Sequence, residues 1–267
     1  MSIRKKLGDW KCQLKEKGGF VVNARNALES WKYRRRECGA GEETLWAEVF
    51  NSTISNSSWL KNTSFSPGRW AVGYPYLYVL YRILNEWKPQ EILDIGLGQS
   101  TKMIAQYAAA NEQVRHLVVE HDPQWIRFFS EANPLPPNVR IVNLELEQRT
   151  LAGCEAPHKP LWQYRDFMAG LERDGKCPRF QLISVDGPFG SKSCFSRGDI
   201  LALIPRGLAE SFVIMVDACE RYGEIGTVKL IGRRLEQSGI DYVTGEYIGA
   251  KRVAVLASKD LRFLTTL

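Results

Sequence analysis

The sequence predicts an α/β protein built on a doubly wound, mostly parallel seven-stranded sheet with a C-terminal antiparallel hairpin and an N-terminal helical extension. Three observations predict this class. Five apolar runs between residues 91 and 218 are typical of parallel strands covered on both faces. Helical patterns separate several of these runs. Two further strand patterns flank the turn signal IGAK, which predicts the closing hairpin.

The predicted elements follow in chain order. A helix that begins near Pro75 and stops before Pro89 precedes the first strand. The strand patterns are EILDIG, RHLVVE, VRIVNLEL, FQLISVD, FVIMVDA, DYVTGEY and RVAVLAS. A second helix is predicted from Ser100, and Asp122 followed by proline predicts an N-cap. A last helix is predicted to end at Gly239.

Length and composition limit the class of protein. The chain has 267 residues, of which 44% are hydrophobic and 25% are charged, which suits a globular protein with a substantial core. Its six cysteines show no metal-binding spacing. No apolar run suits a membrane span or a secretory signal. We therefore expect reduced thiols in a cytoplasmic protein.

Charge and composition predict three regions: a basic amphipathic helical leader (1–40), an irregular aromatic-rich cap (41–74) and the α/β domain (75–267). Residues 1–37 carry eleven Lys/Arg against four Asp/Glu, a balance of +7, whereas the whole chain carries +6. The leader could pack on the domain, bind an acidic partner, or contact the inner face of an anionic membrane. The remaining balance of −1 makes nucleic-acid binding a poor fit for the domain.

A glycine pair follows the first predicted strand. Gly96 and Gly98 come directly after Asp94 and Ile95, and Glu120 ends the next strand, 24 residues after Gly96. Open α/β sheets bind ligands at the carboxyl ends of their strands. A carboxylate about 20 residues beyond such glycines is placed to accept hydrogen bonds from ribose hydroxyls. The pattern therefore predicts a nucleoside site.

Asp94, the glycine loop, Glu120 and the closing hairpin together resemble the class I S-adenosylmethionine-dependent methyltransferases, which have a Rossmann-like sheet. The resemblance covers the predicted α/β domain. It implies that Asp94, Gly96, Gly98 and Ser100 surround the methionine part of S-adenosylmethionine, and that Glu120 holds its ribose. Ser100 stands where the family often has a third glycine.

The ends of the fourth and fifth strands carry Asp186 and Asp217. Glucuronoxylan-type polysaccharide methyltransferases look similar here: they carry a DGP turn, a nearby Arg, and a second Asp followed by an Arg. That resemblance implies a sugar or polysaccharide hydroxyl as the acceptor. It also implies that Arg197 and Arg221 bind an acceptor carboxylate. As alternatives, these arginines could be solvated surface charges, or they could pair with Asp199 and Glu220.

A hydroxyl needs a base or a cation because it is a poor nucleophile at neutral pH. Asp186 is the first candidate base, and His121 is the second. Asp186 and Asp217 could instead bind a divalent metal through oxygen. Metal-dependent O-methyltransferases usually carry an Asp or Asn next to the Asp of the fifth strand, whereas this chain has Ala218 after Asp217.

Other classes of function stay open. A nucleotide-sugar oxidoreductase or glycosyltransferase could use a similar sheet, and binding of S-adenosylmethionine would separate the readings. A non-catalytic scaffold could keep the fold with a vestigial pocket, although the retained acidic residues argue against it. Enzymes that methylate base amines carry an Asn/Asp-Pro-Pro-aromatic turn, whereas this chain has Asp186-Gly-Pro-Phe.

Overall fold

A computed structural model describes residues 40–68, 70–149, 161–190 and 195–266. The predicted leader lies outside these ranges except for residue 40, so its helices and its docking remain predictions. None of the helices in these ranges combines the length and the hydropathy that a membrane span requires.

Helices and strands alternate through most of the chain. The α-helices are α1 (40–54), α2 (Tyr74–Arg82), α3 (Gln99–Ala109), α4 (Pro123–Ala132), α5 (Phe167–Leu171) and α6 (Tyr222–Gln237). A π-helical turn, Ile83–Trp87, extends α2, and 3₁₀ helices span Gly198–Leu203 and Lys259–Thr265. The strands are β1 (Glu91–Ile95), β2 (Arg115–Glu120), β3 (Val139–Asn143), β4 (Leu146–Arg149), β5 (Leu161–Tyr164), β6 (Phe180–Val185), β7 (Leu208–Val216), β8 (Tyr242–Ile248) and β9 (Arg252–Ser258).

The described strands form a seven-stranded sheet in the order β3-β2-β1-β6-β7-β9-β8. The first five strands in this order pair in parallel, and β9 pairs antiparallel with both β7 and β8. Strands β4 and β5 form a separate antiparallel pair. The predicted fold class is therefore confirmed. Because the strand order reverses between β1 and β6, a crevice is expected at their carboxyl ends.

Both faces of the sheet are buried, as the apolar strand patterns predict. Ile92 of β1 packs into a core with Tyr76 and Met103. The next residue, Leu93, points to the other face and packs into a second core with Leu235. Each fully buried aliphatic side chain contributes about 1.5–3 kcal/mol relative to an exposed one. This double coverage fixes β1 as a rigid support for the loop that follows it.

Helix α1 corrects one expectation, because residues 41–54 are helical and not irregular. Trp46, Phe50 and Ile54 recur every four residues and form one apolar stripe, which packs on the first core. The polar residues that begin at Asn51 obscured this period in the sequence. Only the stretch from 55 to 73, apart from residue 69, is irregular as expected.

Candidate active site

The loop after β1 is held against the turn after β6. The carbonyl oxygen of Ile95 accepts hydrogen bonds from the backbone N–H groups of Asp186 (2.9 Å) and Gly187 (2.6 Å). Gly96 has a φ of +106°. A Cβ atom on Gly96 would lie 2.7 Å from the nitrogen of Gly187. Left-handed backbone and this close approach together require glycine at position 96.

Position 98 suits glycine for a different reason. Its φ is −176°, which any residue adopts, and a Cβ atom there would meet no protein atom within 4 Å. Its N–H donates to the hydroxyl of Thr101 (3.0 Å) at the start of α3. The protein therefore leaves open space above Gly98, and that space belongs to the cleft described below.

Asp94 and Ser100 lie beneath the loop and do not line the cleft. Asp94 is fully buried, and its carboxylate accepts hydrogen bonds from the hydroxyls of Ser184 (2.6 Å), Thr101 (2.6 Å) and Ser100 (3.2 Å). Tyr76 shares a hydrogen bond of 2.7 Å with Ser184. This network ties β1 to β6 and to α3. Asp94 and Ser100 therefore support the predicted cofactor loop, but their side chains do not line the cleft.

Glu120 lies at the wall of the cleft, at the end of β2. Its Oε1 accepts from the N–H groups of His121 (2.7 Å) and Asp122 (3.0 Å), and its Oε2 accepts from the N–H of Leu97 (3.0 Å). Burial opposes the charge of this carboxylate, but His121 and the backbone donors outweigh it and lower the pKa of Glu120. A carboxylate oxygen can accept two hydrogen bonds, so Oε2 retains capacity for a ligand hydroxyl.

A cleft of about 470 Å³ opens at the carboxyl ends of β1, β2 and β6. This volume lies within the range of small-molecule sites. The predicted site residues that line it are Gly96, Gly98, Glu120, His121, Asp186, Arg197 and Arg221. The fold thus brings together residues that lie up to 125 positions apart in the sequence.

Asp186 belongs to a cluster of four charged side chains at the cleft floor. Its Oδ1 lies 3.0 Å from Nη2 of Arg197. The neighbouring Asp217 is fully buried, and its Oδ2 lies 3.1 Å from Nζ of Lys251. Burial raises the pKa of Asp186 to about 7; Arg197 and Lys251 oppose this rise, whereas Asp217 adds to it. A carboxyl that titrates near neutral pH is suited to general-base chemistry.

The two predicted acceptor-binding arginines differ in availability. Arg197 is 5% exposed, and its Nη1 donates to the carbonyl oxygens of Asp217 (3.0 Å) and Val185 (3.4 Å). It pairs with Asp186 and not with Asp199, so its guanidinium belongs to the charged cluster at the cleft floor. Arg221 is half-exposed at the start of α6 and lies 3.6 Å from Glu220, as the alternative reading expected. Arg221 lines the cleft and is the more exposed of the two arginines, with Glu220 and Glu224 beside it.

His121 lies on the Glu120 side of the cleft. Its Nδ1 is 2.7 Å from Oε1 of Glu120. Its ring meets the ring of Phe189 edge-on, with centroids 4.7 Å apart. His121 thus contacts both Glu120 and Phe189, and its role as the second candidate base stays a prediction.

The donor set does not fit a divalent metal. Ca²⁺ takes six to eight oxygen ligands, whereas Mg²⁺ usually binds one or two carboxylates and keeps several waters, so the carboxylates must be free to face the ion. Here Asp186 and Asp217 are already paired with Arg197 and Lys251. In the described part of the chain, no group of three or more His, Cys, Asp or Glu side chains converges on one point. The predicted metal role of Asp186 and Asp217 therefore finds no support in the geometry.

Two residues at the site, Lys251 and Glu224, were not predicted from the sequence. Lys251 lies between β8 and β9, and β9 runs antiparallel to β7, so the hairpin turn returns to the carboxyl end of β7. The predicted hairpin could have revealed this placement. Glu224 is fully buried and lies 3.6 Å from Arg221 and 3.9 Å from Arg197. Its only signal was its position one helical turn after Arg221.

No protein-family model matches the chain, and comparison with curated proteins finds no match. Among solved structures, the chain is similar to the O-methyltransferase TomG from Streptomyces achromogenes, involved in tomaymycin synthesis, in complex with S-adenosylmethionine. The two share 15% identity with a TM-score of 0.53, over 81% of this chain and 98% of TomG. An O-methyltransferase from Bacillus cereus in complex with S-adenosylhomocysteine matches at 14% identity and a TM-score of 0.44, over 82% and 91%. The likeness to TomG shows that this chain has the fold of a class I methyltransferase.

Proposed function

We propose that this chain is an S-adenosylmethionine-dependent O-methyltransferase that acts on a hydroxyl of a sugar or polysaccharide. One observation carries the proposal. A single cleft at the switch point of the sheet has Glu120 and the open space above Gly98 on one side, and Asp186 on the other. The first side suits a nucleoside cofactor, and the second suits removal of a proton from an acceptor.

The residues of the loop side fit S-adenosylmethionine. Oε2 of Glu120 can accept a hydrogen bond from a ribose hydroxyl, and its lowered pKa keeps it charged at neutral pH. The glycine backbone leaves room for the methionine part, since Gly98 offers nothing within 4 Å of a Cβ position. Asp94 supports this loop from below.

When bound, S-adenosylmethionine would supply a methyl group on a sulfonium, and bonding of that methyl group to an acceptor oxygen would release the sulfur as a neutral thioether. Asp186 takes the hydroxyl proton, because it is the carboxylate that both faces the cleft and titrates near neutral pH. Arg197 fixes the orientation of Asp186 through their ion pair and through its bonds to backbone carbonyls. A positioned base of this kind contributes about 10²–10⁴-fold to the rate.

The rim of the cleft favours a sugar acceptor. Trp70 and Phe189 line the cleft and are 79% and 54% exposed. Exposed aromatic rings around a pocket mark binding surfaces, and their faces can pack on the C–H groups of a sugar ring. Arg221 adds a cation at the same rim, which suits a uronic acid. The O-methyltransferase TomG supports an oxygen acceptor by fold analogy alone.

The test is methyl transfer from methyl-labelled S-adenosylmethionine to a panel of monosaccharides, uronic acids and oligosaccharides, followed by mass spectrometry. We expect the label on a sugar hydroxyl, and product formed about 10²–10⁴-fold more slowly by an Asp186→Asn variant. Product with amine or carbon acceptors alone would contradict the proposal. Binding of a nicotinamide cofactor or a nucleotide sugar, in place of S-adenosylmethionine, would favour the oxidoreductase or glycosyltransferase reading.

The basic leader carries a separate proposal. Its excess of seven positive charges would hold the enzyme at an anionic membrane surface, where a polysaccharide acceptor is made or exported. An acidic protein partner is the alternative.

A further inference from the structure

Lys251 reaches into the cleft from the turn between β8 and β9. Its Nζ donates to the carbonyl oxygen of Ala71 (2.5 Å) and to Oδ2 of Asp217 (3.1 Å). Its side chain is mostly buried and lines the cleft. A lysine ammonium has three N–H donors, and among the described residues two acceptors meet them. One donor therefore remains for an oxygen atom inside the cleft.

We propose that Lys251 is a catalytic residue whose free N–H donates to the acceptor oxygen, and that its ammonium supplies the positive charge that a divalent metal supplies in metal-assisted transfer. This inference rests on the proposed methyltransferase function.

The order of charges at the cleft floor supports this role. Lys251 contacts Asp217, and Arg197 contacts Asp186. The two carboxylates lie next to each other, so the four charges form one row with a cation at each end. Arg197 cannot turn toward an acceptor because backbone carbonyls and Asp186 hold its guanidinium. The Nε of Arg197 lies 3.9 Å from Glu224, so it is directed at a carboxylate. Lys251 is therefore the cation of this cluster that is best placed to donate into the cleft.

Lys251 also lies on the acceptor side of the cleft. Its bond to Ala71 joins it to the irregular segment that carries Trp70, whereas Glu120 and Gly98 form the opposite, cofactor side. Burial of Asp217 keeps the local dielectric low, so the ammonium stabilises nearby negative charge more strongly than it would in water.

The proposed step balances as follows. The acceptor oxygen, hydrogen-bonded to Lys251, attacks the methyl carbon of the sulfonium and forms a C–O bond. The C–S bond breaks, and its electron pair stays on sulfur, which becomes the neutral thioether of S-adenosylhomocysteine. The hydroxyl proton passes to the carboxylate of Asp186. Lys251 contributes a hydrogen bond and positive charge to this step, and Asp186 is the proton acceptor.

The test compares Lys251→Met, which removes the charge but keeps the length, with Lys251→Arg, which keeps the charge. S-adenosylhomocysteine should bind both variants with wild-type affinity in calorimetry, because Lys251 lies on the acceptor side. Turnover with the panel compound that the wild type methylates fastest should fall about 10²–10³-fold in Lys251→Met, as for loss of one oxyanion donor. Lys251→Arg should recover part of it.

Two measurements do not depend on turnover. In ¹³C-aspartate-labelled protein, with Asp186→Asn for assignment, the Asp186 resonance should titrate at higher pH in Lys251→Met, because Lys251 lowers the pKa of Asp186. Calorimetric titration of the wild type with Mn²⁺ should show no saturable binding.

Three results would overturn the inference: wild-type turnover in Lys251→Met, Mn²⁺ binding that Asp217→Asn abolishes, or loss of S-adenosylhomocysteine binding in Lys251→Met, which would give the lysine a structural role. If the wild type methylates no panel compound, the proposed function fails first. The aspartate titration and the Mn²⁺ titration then still decide whether Lys251 is the cation of the site.

Discussion

Gly96 and Gly187 approach each other so closely that a Cβ atom on either would overlap the backbone of the other. A Cβ on Gly96 would lie 2.7 Å from the nitrogen of Gly187, and a Cβ on Gly187 would lie 2.8 Å from the Cα of Gly96. This contact joins the cofactor side of the cleft to the turn that carries Asp186. The close packing of the loop after β1 against the turn after β6 therefore requires glycine at both positions.

The two loop glycines should respond differently to substitution. Gly96→Ala should destabilise the protein by at least roughly 1–3 kcal/mol, the cost of a residue in a rare backbone region. Gly98→Ala should keep the wild-type melting temperature but lose S-adenosylhomocysteine affinity tenfold or more, because its methyl group enters the open cleft. Thermal unfolding and calorimetry measure both effects. Wild-type affinity in Gly98→Ala would place the ligand elsewhere.

Asp186→Asn should reduce turnover about 10²–10⁴-fold and leave S-adenosylhomocysteine affinity unchanged. Wild-type activity should decline below about pH 7, because Asp186 must be deprotonated to act and its burial raises its pKa to about 7, against the opposing charges of Arg197 and Lys251. Activity in EDTA should equal activity without it. The exposed Asp241→Asn serves as the control. Normal turnover in Asp186→Asn would redirect attention to His121.

Asp199 should make stability depend on pH in the acid range. It is buried, its Oδ1 accepts from the N–H of Tyr164 (2.9 Å), and burial raises its pKa to about 7. The folded state therefore binds more protons than the unfolded state between about pH 4 and pH 7, and the stability contributed by this proton is lost as pH rises.

Asp199→Asn should remove this loss. Its stability relative to wild type should increase with pH across that window by up to about 1.4 kcal/mol per pH unit. Urea denaturation at several pH values measures the difference, with Asp241→Asn as the matched exposed control. A pH-independent difference between Asp199→Asn and wild type would show that Asp199 is ionised throughout.

Reversal of charge at Arg34, Arg35 and Arg36 to Glu should weaken cosedimentation with phosphatidylserine vesicles, since each basic residue near such a surface contributes about 1 kcal/mol. Binding of S-adenosylhomocysteine should stay unchanged, because the cleft is built by the α/β domain. Phosphatidylcholine vesicles are the neutral control. Equal sedimentation of both proteins with anionic vesicles would contradict membrane binding. The leader would then bind an acidic partner or pack on the α/β domain.

Local patterns predicted most of the fold. Apolar runs marked the strands of the main sheet, and Asp122 caps α4 as expected, accepting from the N–H groups of Gln124 (2.9 Å) and Trp125 (3.2 Å). The sequence did not predict helix α1, because its apolar stripe runs into a polar stretch at Asn51. Periodicity reports a helix only where one face stays apolar along its length.

Residue type and strand position placed Glu120 at the cleft, and its role in cofactor binding stays a prediction. Long-range packing sets the surroundings of other side chains, and the sequence did not predict those surroundings. Asp94 looked like a cofactor ligand, but three hydroxyls from β6 and α3 enclose it. Arg197 looked available, but Asp186 and backbone carbonyls hold it. Lys251 lies 34 residues from Asp217 in the sequence, and the predicted hairpin placed its turn near β7 without indicating this contact.

Calorimetric titration with S-adenosylhomocysteine, on wild type, Glu120→Gln and the exposed control Glu131→Gln, tests the central claim most directly. We predict saturable one-site binding to wild type and to Glu131→Gln, with a matching rise in melting temperature. Glu120→Gln should bind more weakly by about 1–3 kcal/mol, the value of a hydrogen bond to a charged group. No heat and no change in melting temperature for the wild type would contradict the account. Equal affinity in all three proteins would remove Glu120 from the site.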